Sequence, residues 1–199
     1  MMISDYIQRL ISTLDRHEIL NATLKLFIII DIIGCIPFIL KTKEASGKVA
    51  AGKTTLTVAA IGFGFLFFGQ RLLEICELEL PPFRAAGGLI LFILGVELLF
   101  DIEISKVTLK KDVPSYITPL GFPVIGGTGM MTMLILLQEN HMMSNIIIAF
   151  LLNLVVIYLV IRFLDWIEHL LSPLLLILMA KIMGLMLIAT GIQLFKALF

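Results

Sequence analysis

Six runs of apolar residues, near 20–40, 54–73, 83–100, 116–138, 145–164 and 174–198, are separated by short polar stretches along the 199-residue chain. The breaks fall at Lys41–Lys53, Glu74–Pro82, Asp101–Ser115, Glu139–Ser144 and Asp165–Ser172. Each run is close to the roughly 20 residues that a helix needs to cross the hydrocarbon of a bilayer. The pattern predicts an all-α, polytopic membrane protein with six transmembrane helices in one domain, since no linker is long enough to divide it. Ahead of the first run, Ile3, Ile7, Leu10, Ile11 and Leu14 recur at helical spacing among charged residues. That spacing predicts an interfacial segment over 1–18. Asp5, Arg9, Asp15, Arg16 and Glu18 do not fit the charged-then-apolar layout of a cleaved signal peptide.

Composition agrees with the pattern. Apolar residues make up 59% of the chain and charged residues 15%, against roughly half and a quarter in soluble domains. Fifteen Lys and Arg balance fifteen Asp and Glu, so no basic surface for nucleic acid is expected. Cys35 lies in an apolar run and Cys76 in a polar break, which gives no disulfide framework. Basic residues are unevenly divided: Lys41, Lys43, Lys48, Lys53, Lys106, Lys110, Lys111 and Arg162 lie on one side, Arg9, Arg16, Arg71, Arg84 and Lys196 on the other. The positive-inside bias places 101–115 in the cytoplasm as a connecting loop, with both termini outside it, in a cell (inner) membrane.

The two halves share marks in a common order. Arg71-Leu72-Leu73-Glu74-Ile75 follows the second run and Arg162-Phe163-Leu164-Asp165-Trp166 the fifth. Arg84-Ala85-Ala86-Gly87 and Gly95-Val96-Glu97-Leu98 in the third run correspond to Lys181-Ile182-Met183-Gly184 and Gly191-Ile192-Gln193-Leu194 in the sixth. Three helices per repeat, 19–100 and 116–199, is an odd number, so the second repeat enters the membrane from the opposite side. Inverted repeats of this kind are common in secondary transporters, with the substrate near the midplane.

Two runs carry helix breakers. The first contains Asp31, Gly34, Cys35 and Pro37; the fourth contains Pro119, Gly121, Pro123, Gly126, Gly127, Thr128 and Gly129. Proline removes a backbone donor and clashes with the preceding turn, and glycine lowers helix propensity. Broken backbone at membrane depth is tolerated where it faces protein or a wet cavity. The first and fourth helices are therefore expected to be discontinuous, with kinked helices packed through small residues as the alternative. Asp31 is a carboxylate well inside a span, and its burial calls for a partner, a bound cation or a proton. It is expected either to bind an ammonium group or coupling ion, or to cap the broken helix.

The spacing Asp31-x-x-Gly34-x-x-Pro37, the run Phe83-Arg84-Ala85-Ala86-Gly87-Gly88, and Pro119-Leu120-x-x-Pro123 followed by Gly127-Thr128-Gly129 resemble the MarC family over essentially all six spans. The family is also called the neutral amino-acid transporter family. The resemblance implies a carrier of small neutral amino acids such as glycine and alanine. The chain departs from the family pattern at Asp31-Ile32, where Asp-Pro is usual, and at Gly127-Thr128-Gly129, where Gly-Pro-Gly is usual.

The expected function is secondary transport of a small zwitterion by alternating access, with H⁺ or Na⁺ as coupling ion and no cofactor or bound metal. Asp31, Gly34, Pro37, Pro119, Pro123, Gly126, Gly127, Thr128 and Gly129 are the candidate substrate-binding residues. A non-transporting structural or signalling protein is the alternative. An intramembrane enzyme would need a catalytic constellation, yet His17, His141 and His169 lie at span edges or in loops.

Overall fold

The computed structural model describes residues 15–102, 116–117, 120–138 and 140–196. Most of the expected interfacial segment, most of the connecting loop and Pro119 lie outside the described residues. The described helices are α1 (Arg16–Ile30), α2 (Ile36–Ser46), α3 (Ala51–Ile75), α4 (Leu80–Phe100), α5 (Thr128–Leu137), α6 (Met143–Arg162), α7 (Leu164–Leu170) and α8 (Pro173–Phe195). A wide-turned segment, Leu120–Ile125, precedes α5. Among the described residues there is no strand.

Five stretches are long and apolar enough to cross a bilayer: Ala51–Ile75, Leu80–Phe100, Leu120–Leu137, Met143–Arg162 and Leu174–Phe195. The first expected span is not a sixth continuous helix. It consists of α1, with 15 residues, and α2, with 11, joined by residues 31–35. Asp31 ends α1 at φ +44° in the left-handed region, which Asp and Asn enter more readily than other non-glycine residues. Pro37 falls in the first turn of α2, where a missing amide costs nothing. Proline here starts the second half-helix rather than kinking the first.

The fourth-span break has a different cause. Phe122 is extended at φ −142°, ψ 134°, and the amides of Phe122 and Gly126 reach back five residues to the carbonyls of Ile117 (2.8 Å) and Gly121 (3.0 Å). The glycines serve close approach, not left-handed backbone: Gly47 is the one described glycine at positive φ. A Cβ at Gly126 would lie 2.5 Å from the Gly121 carbonyl oxygen.

Glycine also sets the largest helix pairing, α4 against α8. A Cβ at Gly88 would lie 2.5 Å from the Gly191 oxygen, and one at Gly191 2.6 Å from the Gly88 oxygen. Gly95 and Gly184 repeat the arrangement one heptad away, at 2.6 and 2.9 Å. The two helices are antiparallel and meet backbone to backbone, as small residues allow in lipid. Gly88 rather than Gly87 lies in this seam, and Gly87 instead faces Thr128.

Polar side chains tie the remaining helices. Asn153 on α6 donates to the Thr23 carbonyl of α1 (3.2 Å) and to Ala149 (2.9 Å), the inter-helix role its position suggests. Thr132, expected to act similarly, is buried without a hydrogen-bond partner among the described residues. Lys181 does not simply reach for the interface: its Nζ donates to the Leu99 carbonyl (2.7 Å) at the end of α4, where a cation suits the helix dipole.

Two sets of contacts mark the two ends of the bundle. At one, Lys41 pairs with Asp101 (2.8 Å) and Lys43 with Asp165 (2.7 Å) and Glu168 (2.5 Å). At the other, Glu18 accepts from the Asn145 amide (2.6 Å). The polar breaks after the first, third and fifth runs thus share one face, as successive crossings require.

Candidate functional site

A cavity of about 240 Å³ lies where the two breaks meet. Its wall includes Ile28, Ile29, Ile30 and Asp31 from the end of α1, Pro123, Val124 and Ile125 from the second break, and Gly127, Gly129 and Met130 from the start of α5. Leu91 of α4 and Met183, Met186, Leu187, Thr190 and Gln193 of α8 complete it, with Cys35. Ligand pockets for drug-sized molecules usually measure roughly 300–1,000 Å³, so this one suits a smaller solute. A larger cleft of about 630 Å³ at the α3–α4 turn, bordered by Glu74, Glu77 and Glu79, touches neither break.

The electrostatics of the cavity follow from the direction of its helices. The last carbonyls of α1 lie at the negative end of a helix dipole and the first amides of α5 at a positive end. Asp31 adds a carboxylate on the α1 side. Its Oδ1 accepts from the Gly34 amide (3.3 Å), so the aspartate both caps the turn and lines the cavity. The Asp31 carbonyl in turn accepts from the Cys35 amide (3.0 Å). No Lys, Arg or His lines the cavity among the described residues.

The expected site residues divide accordingly. Asp31, Pro123, Gly127 and Gly129 line the cavity. Gly34, Pro37, Gly126 and Thr128 do not line it. A Cβ at Gly34 would lie 2.5 Å from Asp31 Oδ2 and press on Met183 Sδ. Gly126 closes the second break, Pro37 starts α2, and Thr128 packs on Gly87. The α8 residues of the wall were not expected from sequence. Isolated polar residues in an apolar helix were the available signal for Thr190 and Gln193.

Five apolar membrane-length stretches and a cavity where two interruptions of the backbone meet define a multi-pass helical membrane protein. The family model of the MarC family integral membrane protein matches residues 16–198, and the chain belongs to that family. It is 28% identical over 143 residues to the UPF0056 inner membrane protein YhgN of Escherichia coli (strain K12), covering 68% of this chain and 73% of that one. It is 24% identical over 194 residues to the UPF0056 membrane protein MJ1677 of Methanocaldococcus jannaschii, covering 90% and 95%. A UPF0056 membrane protein of Buchnera aphidicola (subsp. Schizaphis graminum) is 24% identical over 153 residues, covering 72% and 78%. No solved structure matches.

Proposed function

We propose that this chain is a secondary transporter of small neutral amino acids in the inner membrane. The observation that carries the reading is the cavity in which the carboxylate end of α1 faces the amide end of α5. A zwitterion needs both signs of compensation a few ångströms apart. Asp31 and the α1 carbonyls suit an ammonium group, and the α5 amides suit a carboxylate. When no ammonium is bound, Asp31 would take H⁺ or Na⁺ in its place, which supplies a means of coupling by exchange. No cofactor is needed in this reading, and no catalytic role falls to any cavity residue.

The architecture we infer counts α1 and α2 as halves of one span, giving six spans in two inverted repeats. The antiparallel pairing of Gly88 with Gly191 and Gly95 with Gly184 supports it, because helices related by a two-fold axis in the membrane plane meet in this reciprocal way. The cavity extends along α8 towards Thr190 and Gln193, away from the ion pairs of Lys41 and Lys43. Those pairs then close the cytoplasmic side in an outward-facing state. Uptake of labelled glycine and alanine into proteoliposomes tests the function. Saturable uptake above protein-free vesicles supports it, and uptake no greater than theirs for every small neutral amino acid rejects it.

Orientation has its own test. With Cys35 and Cys76 replaced, a single cysteine at position 48 should resist an impermeant thiol reagent in intact cells and react after lysis. Labelling from outside would invert the assignment.

The closing ion pairs should not sense pH near neutrality. Bonds to Asp165 and Glu168 raise Lys43 above its ordinary 10.5, and Lys41 and Lys43 lower Asp101 and Asp165 below 3.8. A lowered carboxyl loses its contribution only as pH falls through the lowered value, and a raised lysine only as pH rises through the raised one. Wild type and Lys43→Gln should therefore show pH–uptake profiles of the same shape over roughly pH 5–9. A profile reshaped by Lys43→Gln would place a titration at this face.

A further inference from the structure

We propose that Thr190 and Gln193 form a polar side-chain subsite that makes the cavity prefer amino acids carrying a hydroxyl group over apolar ones of the same shape. This rests on the transport reading above and assigns the part of the substrate that the two breaks leave uncompensated.

A zwitterion held with its ammonium group at Asp31 and its carboxylate at the α5 amides has its ends fixed by α1 and α5. The wall left for its side chain is supplied largely by α8: Met183, Met186 and Leu187 towards the breaks, Thr190 and Gln193 beyond them. The α8 stretch has a mean hydropathy of 2.3, and on its cavity side it carries an uncharged polar pair, Thr190 half-buried and Gln193 exposed. Elsewhere on this helix polar groups are engaged: Lys181 donates to Leu99 and Ser172 accepts from the Leu175 amide (3.3 Å). Among the described residues, neither the Thr190 hydroxyl nor the Gln193 amide has a hydrogen-bond partner. Threonine can bond its own helix carbonyl four residues back, as Thr23 does to Ile19 (2.7 Å) and Thr57 to Lys53 (2.9 Å). Thr190 makes no such bond and keeps its capacity for a ligand.

One turn separates the two side chains, so both lie along one face. Together they offer a hydroxyl, a carbonyl oxygen and an amide donor. A substrate hydroxyl can donate to one and accept from the other, whereas a methyl group in its place offers neither bond. A site that hydrogen-bonds a substrate hydroxyl rejects the analogue lacking it more strongly than an apolar pocket rejects an added hydroxyl.

Threonine and valine are matched in shape and differ at this group. In proteoliposomes, competition against labelled glycine should favour threonine over valine by about tenfold or more in wild type. Thr190→Val with Gln193→Leu should bring that ratio near one, and Thr190→Ser should retain it. A wild-type ratio near one overturns the proposal, as does a ratio unmoved in the double variant. If the double variant fails to insert, calorimetry of threonine and valine binding to detergent-purified wild type decides the matter: tighter threonine binding supports the subsite and equal binding overturns it. Absence of uptake of every small neutral amino acid in wild type would reject the transport reading itself, a result distinct from uptake without threonine preference.

Discussion

Asp31→Asn yields a protein that inserts and folds but takes up glycine about ten- to a hundredfold more slowly than wild type. Asparagine tolerates the left-handed φ of +44° and can still accept the Gly34 amide hydrogen bond through its own carbonyl oxygen. What it lacks is charge. The loss of one charge-assisted bond to an ammonium group is worth about 1.5–3 kcal/mol, and loss of the coupling ion lowers accumulation further. Asp31→Ala adds a structural defect, because alanine is strained at this φ and supplies no cap; the cap alone is worth about 0.5–2 kcal/mol. The measurement is uptake normalised to inserted protein, alongside thermal unfolding of the purified variants. Gradient-dependent uptake unchanged in Asp31→Asn would reduce the aspartate to its capping role.

Gly95→Leu should have the opposite character, loss of the protein rather than loss of transport by an intact one. A Cβ there would lie 2.6 Å from the Gly184 oxygen and 2.8 Å from the Ile188 amide nitrogen. Both are backbone atoms, which cannot swing aside as a side-chain tip would. The α4–α8 pair must separate, and it is the most extensive contact among the described helices. A core change of this kind belongs to the tail above about 4 kcal/mol, sufficient to remove folded protein from the membrane fraction. Gly64→Leu, with open space at its Cβ, is the matched control and should accumulate normally. Normal accumulation of Gly95→Leu would mean that the two helices do not meet as described.

Much of this architecture is legible in sequence because the bilayer simplifies it: apolar length gives the spans, and Pro and Gly show where backbone is interrupted. The reason for each interruption is less legible. Pro37 reads as a breaker but acts as a helix starter, since only the backbone state of residues 31–35 decides which amides are already free. The fourth-span glycines read as helix breakers, and the room they leave for neighbouring carbonyls is a property of packing that sequence does not show. The place of Gly88 rather than Gly87 in the α4–α8 seam has the same origin: adjacent glycines look equivalent in sequence but point about 100° apart on a helix. Thr190 and Gln193 are not evident from sequence as lining residues because lining a cavity depends on what packs beside α8. Within the sequence both stand out as isolated polar residues in an apolar run, and Gln193 also as a mark of the internal repeat.

Cys35 offers the most direct measurement of whether an amino acid occupies the space between the breaks. It lines the cavity, whereas Cys76 is exposed, so a Cys76→Ser protein leaves one thiol in the proposed site. Its modification rate by a small uncharged maleimide is followed in proteoliposomes with and without saturating glycine. Binding at the breaks predicts that glycine slows the reaction severalfold, with a concentration dependence matching that of uptake. Uptake of glycine with no change in the Cys35 rate at any concentration would contradict this site and move the substrate path elsewhere in the bundle.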